Sequence, residues 1–421
     1  MAKKVGIAFA IFAVAVSFVI SLAGSSLKST VQVYFLDIAD SFEVSRGTLA
    51  VATTLFAVTT AVASTVVGHL SDRIGAVPVL AIGAAVSGAV LLLSAAATNI
   101  WMFVLVYGVL GAVALTMLSY VPLGVLAAQL FHGRTSGVLY AVLTNGAAVG
   151  FVVLVPLWTR LDGSFSWPQV FAGVGVVFLL LLLPLSLLLV RVAGRRKPAG
   201  QPVVGTSLLS GFLVTVRDPR VRALALAFIG CGMTMAFIDI HLFPHMADHG
   251  VPASLGSLAV AVLGVLEIVG SLVAGRLCDI GRIRATLVGA YLLRASSMIV
   301  LLFVSTHQLV IVFGAMFGAS YLATVVATTM WVNRILAPGV RGTVLGVLWA
   351  VHMMAVAVSS QAGAMLADLQ HGYTTTIVAT AAFAAGAALV VARQQDPDAD
   401  TTEPPGPAAG FPTPAADPVS A

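Results

Sequence analysis

Long, unbroken apolar runs constrain this chain more than any other feature. Gly173 to Val190 and Val79 to Ala97 contain no charge at all, and similar runs recur to residue 392. Each is of the order of the ~20 helical residues that cross a hydrocarbon layer. With 59% apolar and 9% charged residues, the 421-residue chain cannot clothe a soluble domain in polar surface. The runs are continuous, not alternating, which excludes an outer-membrane barrel; lipid offers no partner to an open backbone group, so the spans are helices. Cys231 in an apolar run and Cys278 in a charged loop give no disulfide framework and no metal-ligand set. The net charge of +5 follows membrane topology and implies no nucleic-acid partner. Met-Ala-Lys-Lys and the long apolar stretch behind it read as an uncleaved first helix, because further spans follow.

Twelve segments qualify as spans: 5–34, 48–67, 79–98, 101–126, 136–158, 168–190, 222–245, 256–274, 285–305, 308–331, 342–365 and 372–392. With the N-terminus cytoplasmic, that side collects 17 of the 21 Lys and Arg residues, and the opposite loops keep only Arg46 and Arg160. The expectation is a multi-pass protein of the plasma or inner membrane with both termini cytoplasmic. Residues 1–191 then form an N-terminal six-helix bundle, 192–221 a cytoplasmic linker and 222–393 a C-terminal six-helix bundle. Residues 394–421, with seven of the 18 prolines, form a tail that has little to bury and is expected to be disordered.

The two halves repeat. Gly68-His-Leu-Ser-Asp72-Arg73-Ile-Gly75 follows span 2, and Gly275-Arg-Leu-Cys-Asp279-Ile-Gly281-Arg282 follows span 8, at an offset of 207 residues. Arg134 after span 4 and Arg341 after span 10 share that offset. A duplicated six-helix unit implies a pseudo-twofold axis along the membrane normal, with a site at the midplane between the halves.

The G-x-L-x-D-R-x-G loop, its degenerate second copy and the six-plus-six layout resemble the major facilitator superfamily over residues 5–392. That resemblance implies an all-α fold of two pseudo-twofold-related six-helix bundles, working as a monomer. It also implies a gate at Gly68, Asp72, Arg73, Gly75, Asp279, Arg134 and Arg341. Asp72 would cap a neighbouring helix N-terminus and Arg73 would pair across helices, latching one state. Ile280 stands where a second Arg would be, so the first copy is expected to hold more strongly.

Four charges lie within spans: Lys28, Asp239, Glu267 and Arg294. A charge at the centre of a span costs about 2.5–3.5 kcal/mol on insertion scales, so each asks for a reason. At about 1.5 Å per residue, Glu267 and Arg294 sit level, roughly 12–15 Å from the inner face, while Lys28 and Asp239 lie in the outer third. Lys28 and Asp239 could meet across an outer vestibule. Glu267 and Arg294 read either as an ion pair within one half or as parts of a proton path. His352 in span 11 and Asn145 in span 5, also 207 residues apart, are candidates to line a central site or to tie helices together. Tyr120 and Tyr321 read as cavity hydroxyls or interfacial anchors, and Trp101, Trp158, Trp167 and Trp331 as interfacial belts. His241, His245 and His249 have a spacing that could suggest zinc, but Pro244 and Gly250 are expected to break the helix there, leaving a polar outer loop.

Leu27-Lys28-Ser29-Thr30-Val31-Gln32-Val33-Tyr34-Phe35 with Val44-Ser45-Arg46-Gly47 resembles the first span and loop of the proton-linked monocarboxylate carriers and the oxalate/formate antiporter-like group. Those carriers hold an Asp in span 8 with an Arg four residues later. Here the acid is Glu267 and the arginine is replaced by Ser271. A bound carboxylate would then rely on Lys28, Arg294 or a protonated His352.

No P-loop and no catalytic constellation appears, so the chain is expected to be neither an ATP-driven pump nor an enzyme, and to need no cofactor. The leading expectation is secondary transport of a small organic anion with a proton. Lys28, Asn145, His352, Tyr120 and Tyr321 would bind substrate, and Glu267 and Asp239 would carry the proton. A proton-driven exporter of lipophilic compounds is the alternative, and a non-transporting receptor is the alternative of another class.

Overall fold

The computed structural model describes residues 2–130, 136–194, 207–303 and 307–397. Twelve helices are long and apolar enough to cross a membrane. Spans 1–6 are Phe9–Val33, Val51–Ile74, Ala76–Ala95, Ile100–Gln129, Ser136–Asp162 and Trp167–Ala193. Spans 7–12 are Pro219–Asp248, Ser254–Asp279, Ile283–Leu301, Gln308–Ile335, Arg341–Gln370 and Thr374–Ala392. No strand occurs among the described residues.

The packing repeats with the sequence. Spans 1 and 5, 2 and 4, and 3 and 6 pack in the first half; 7 and 11, 8 and 10, and 9 and 12 pack in the second. Between the halves, span 2 meets span 11 and span 8 meets span 5, which is what a twofold relation requires. Without a hydrophobic drive between helices in lipid, close approach depends on small residues. Gly146 lies against the Phe18 carbonyl and Gly150 against the Leu22 carbonyl, seating span 5 on span 1.

Three spans carry a π-helical turn: Val106–Gly111, Phe178–Leu182 and Phe237–His241. The third corrects the expected break in span 7. Pro244 removes a backbone donor, and the wider turn just before it absorbs the misfit, so the helix continues to Asp248. It ends before Gly250, whose φ is +68°. His241 and His245 are consequently buried, not loop residues; their Nε2 atoms lie 3.1 Å from the Ser360 and Leu301 carbonyls.

The linker is more structured than its polarity suggests. Leu208–Arg217 is helical, capped by Ser207, whose Oγ accepts from Ser210 N at 3.2 Å, and Gly211 packs directly on Thr343 of span 11. At the far end, Arg284 Nη1 donates to the Gln394 carbonyl at 3.0 Å and Arg284 Nε lies 4.0 Å from Asp396, so the first tail residues are docked. The rest of the expected tail lies outside the described residues.

Three of the four supposed belt tryptophans are buried. Trp158 Nε1 donates to Ser29 Oγ at 2.9 Å, Trp167 Nε1 to Ser41 Oγ at 3.0 Å, and Trp331 is fully enclosed; Trp101 alone of the four is exposed. Proximity to a span end does not separate an interfacial ring from one turned inward.

Candidate functional site

The two repeated loops join the halves at the face that carries the linker. Asp72, in the last turn of span 2, accepts hydrogen bonds from Gly342 N at 2.8 Å, Thr343 N at 2.7 Å and Thr343 Oγ1 at 2.7 Å. Asp279, in the last turn of span 8, accepts from Gly137 N at 2.7 Å and Val138 N at 3.1 Å. Each carboxylate thus caps the orphan N–H groups of a helix in the other half, where the helix dipole also favours negative charge. Glycines make the approach possible: Gly68 abuts the Gly342 carbonyl, and a Cβ on Gly137 would stand 2.5 Å from the Gly275 carbonyl. Gly75 takes φ +92° at the turn into span 3, a conformation that L side chains rarely adopt.

Other parts of the expected gate differ. Arg73 is exposed and forms no ion pair among the described residues, contrary to the expected cross-helix pairing; at the end of span 2 its charge faces the negative end of that helix. Arg341 donates through Nε to the Leu336 carbonyl at 2.8 Å, tying its own loop, and Arg134 lies outside the described residues. The 207-residue offset also slips. Asp72 and Asp279 keep it, but the glycines they cap, Gly137 and Gly342, are 205 apart. Asn145 lies eight residues past its capped glycine and His352 ten past its own, so they are not structural counterparts.

Arg294 does not form the expected ion pair: no carboxylate lies within 4.0 Å of it among the described residues. It is completely buried, and its guanidinium donates through Nη2 to the Ser320 and Tyr321 carbonyls, both at 2.7 Å, and through Nη1 to Cys231 Sγ at 3.0 Å. Nε reaches Ser320 Oγ at 3.4 Å, and the Phe317 ring lies 5.2 Å away. The guanidinium fork finds enough acceptors to tie spans 9, 10 and 7.

Glu267 is half-buried in span 8 and Asp239 is exposed in the π-turn of span 7. Tyr120 of the first half and Tyr321 of the second are both half-buried, and the Tyr321 ring lies 5.9 Å from the Arg294 guanidinium carbon. Lys28 is exposed on the face of span 1 that also carries Gln32, one helical turn on, and forms no ion pair with Asp239. Two polar side chains on one face at this depth suit water better than lipid.

His352 is fully buried between spans 7 and 11. Its Nδ1 lies 3.3 Å from the Phe228 carbonyl, and its ring contacts Phe228 and Trp349 at 5.0 and 4.9 Å between centroids. Asn145 is also buried, and its Oδ1 accepts from Ser271 Oγ at 3.1 Å. The serine standing where the carriers hold an arginine is thus bonded across the two halves. Trp349, absent from the expected set, stacks on Tyr120 with centroids 4.6 Å apart and planes 6° from parallel. Its position one turn before His352 was the available signal.

A family profile described as the Major Facilitator Superfamily matches residues 5–245 and again 222–418. An uncharacterised MFS-type transporter of Bacillus subtilis strain 168, YcxA, is 28% identical over 389 residues, covering 90% of this chain and 93% of YcxA. Among solved structures, the human organic anion transporter MFSD10 (TETRAN) superposes with a TM-score of 0.72 at 15% identity, covering 91% of this chain and 99% of that one. The proton:xylose symporter XylE gives 0.71 at 14%, covering 91% and 95%. FucP in its outward conformation gives 0.68 at 11%, covering 91% and 98%. At these identities the structures speak for the fold, while the profile spans nearly the whole sequence: the chain belongs to the Major Facilitator Superfamily and is a transporter, not an enzyme.

Proposed function

We propose that the protein is a proton-coupled secondary transporter that carries a small organic solute by alternating access, working as a monomer in the plasma membrane. The linker face is cytoplasmic, in keeping with the Lys and Arg distribution. The Asp72 and Asp279 caps join the two halves at that face, which supports an arrangement closed to the cytoplasm. One observation carries the coupling: Glu267 is half-buried in span 8 and Asp239 exposed in span 7, neither in an ion pair among the described residues, so a carboxyl there can gain and lose a proton as its surroundings wet and dry. Glu267 is the proton carrier, being the more enclosed of the two acids.

The expected organic-anion substrate draws its support from Lys28, which is exposed within span 1. The alternative, proton-driven export of lipophilic compounds, is favoured by the Tyr120–Trp349 aromatic stack between the halves. Proteoliposomes loaded with a pH-sensitive dye test the coupling. A transported solute moves protons with the wild type and none with Glu267→Gln; proton movement at the wild-type rate in that variant rejects the proton assignment.

A further inference from the structure

We propose that the linker helix Leu208–Arg217 is a membrane-surface element: its exposed apolar stripe sits in the leaflet at the linker face, and the arginines at its C-terminal end hold anionic lipid headgroups. The surface is independent of the solute and of the coupling ion.

The helix is too short to cross a bilayer and too apolar on one side for water. Its 10 residues rise about 15 Å, half the thickness of a hydrocarbon core. Leu208, Leu209, Phe212 and Val216 are nevertheless all exposed, Leu209 to 62% and Phe212 to 54%. At helical spacing these four residues form one continuous stripe. Ser210 and Arg217 fall on the opposite side, and Gly211 and Thr215 are buried on a flank beside the stripe. The helix thus has one face for protein, one for apolar surroundings and one for water.

Two contacts fix its attitude. Gly211 packs on Thr343, the third residue of span 11, and Asp218 alone separates the helix from Pro219, where span 7 begins. The helix packs on both of those spans. Its second turn and its last residue therefore stand level with the starts of two spans, so its axis runs along the membrane surface and not away from it. An apolar stripe held at that level, and left uncovered by the described protein, meets lipid.

Charge points to the kind of lipid. Residues 191–222 carry seven Lys and Arg and one acid, Asp218. That acid is occupied at the start of span 7, where its Oδ1 accepts from Arg220 N at 2.8 Å. Arg217 and Arg222 are exposed, and Arg222 Nη1 donates to the Val216 carbonyl at 3.2 Å, which brings its charge to the end of the helix. Basic residues beside a membrane span attract anionic headgroups.

A nitroxide label tests the placement. Cys231 and Cys278 are buried, so the label goes to an introduced cysteine. The full chain carrying Phe212→Cys or Ser210→Cys is placed in nanodiscs of phosphatidylcholine alone, or of phosphatidylcholine and phosphatidylglycerol in equal parts. Collisions with oxygen and with a water-soluble nickel chelate are read by power saturation. The Phe212 label is expected to meet oxygen more often than the chelate, and the Ser210 label the reverse. Phosphatidylglycerol is expected to raise the oxygen-to-chelate ratio at Phe212 by about twofold or more, and Arg217→Gln to reduce that rise. Val216→Cys, on the same exposed stripe, repeats the reading if Phe212→Cys folds poorly. A Phe212 label that meets the chelate as often as the Ser210 label puts the stripe in water and overturns the inference. A label shielded from both reagents puts another protein or a second copy of this chain there, which overturns it as well. Equal ratios in the two lipids overturn the assignment to anionic headgroups.

Discussion

Asp72 caps a helix of the opposite half: its carboxylate oxygens lie 2.8 and 2.7 Å from the N–H groups of Gly342 and Thr343. Asp279 repeats the arrangement on Gly137 and Val138 without a hydroxyl donor. The proposed rocking motion must break both caps together. Capping and dipole interactions of this kind are worth about 1–2 kcal/mol each. Asp72→Ala is expected to shift the ratio of closed to open linker face by roughly tenfold, and Asp279→Ala by less. Distances between spin labels across that face measure both; equal effects, or none, contradict the proposed latch.

The glycine crossings set a steric condition on the same state. A Cβ at Gly137 would come 2.5 Å from the Gly275 carbonyl and 3.0 Å from Asp279 Oδ1. Gly137→Ala is expected to leave helix content unchanged by circular dichroism and to open the linker face in the spin-label measurement. Retention of the closed distance would show that the contact yields without parting the halves.

Arg294 is expected to matter for stability more than for substrate. Removing its buried donors by Arg294→Met should cost about 2–4 kcal/mol. Arg294→Lys should not restore it, because an ammonium cannot reach both carbonyls and the thiol in one plane. Thermal unfolding in detergent measures both variants, and a lysine variant as stable as wild type refutes the tie.

Asp37, just beyond span 1, gives a pH signature. Desolvation first, and the neighbouring Asp162 charge second, push its carboxyl above the usual carboxylate range. The folded protein therefore holds this proton more tightly than the unfolded chain does. The resulting stabilisation is complete below the unfolded value and is lost as pH rises through the raised one. Asp37→Asn should flatten the fall in thermal midpoint over that window, and an unchanged slope would contradict it.

Much of this was legible in the sequence, for identifiable reasons. Apolar run length marked out the twelve spans, and the loop motif's resemblance to the superfamily pointed to a helix cap at Asp72, while Asp279 was placed in the gate without a cap assigned to it. The occupancy of Arg294 was hidden, since its acceptors are carbonyls, which every residue carries. The two-residue slip between Asn145 and His352 was hidden too: an offset shared by two pairs of loop residues cannot report a shift in the helices that follow. The stacking of Tyr120 on Trp349 depends on a contact between halves that periodicity within one helix does not encode.

Solute-driven proton movement in dye-loaded proteoliposomes tests the central claim most directly, comparing wild type with Glu267→Gln. The account predicts a pH change on addition of a transported solute to the wild type and none in the variant, with solute binding to the wild type intact. Solute uptake that moves no protons in either protein would contradict it.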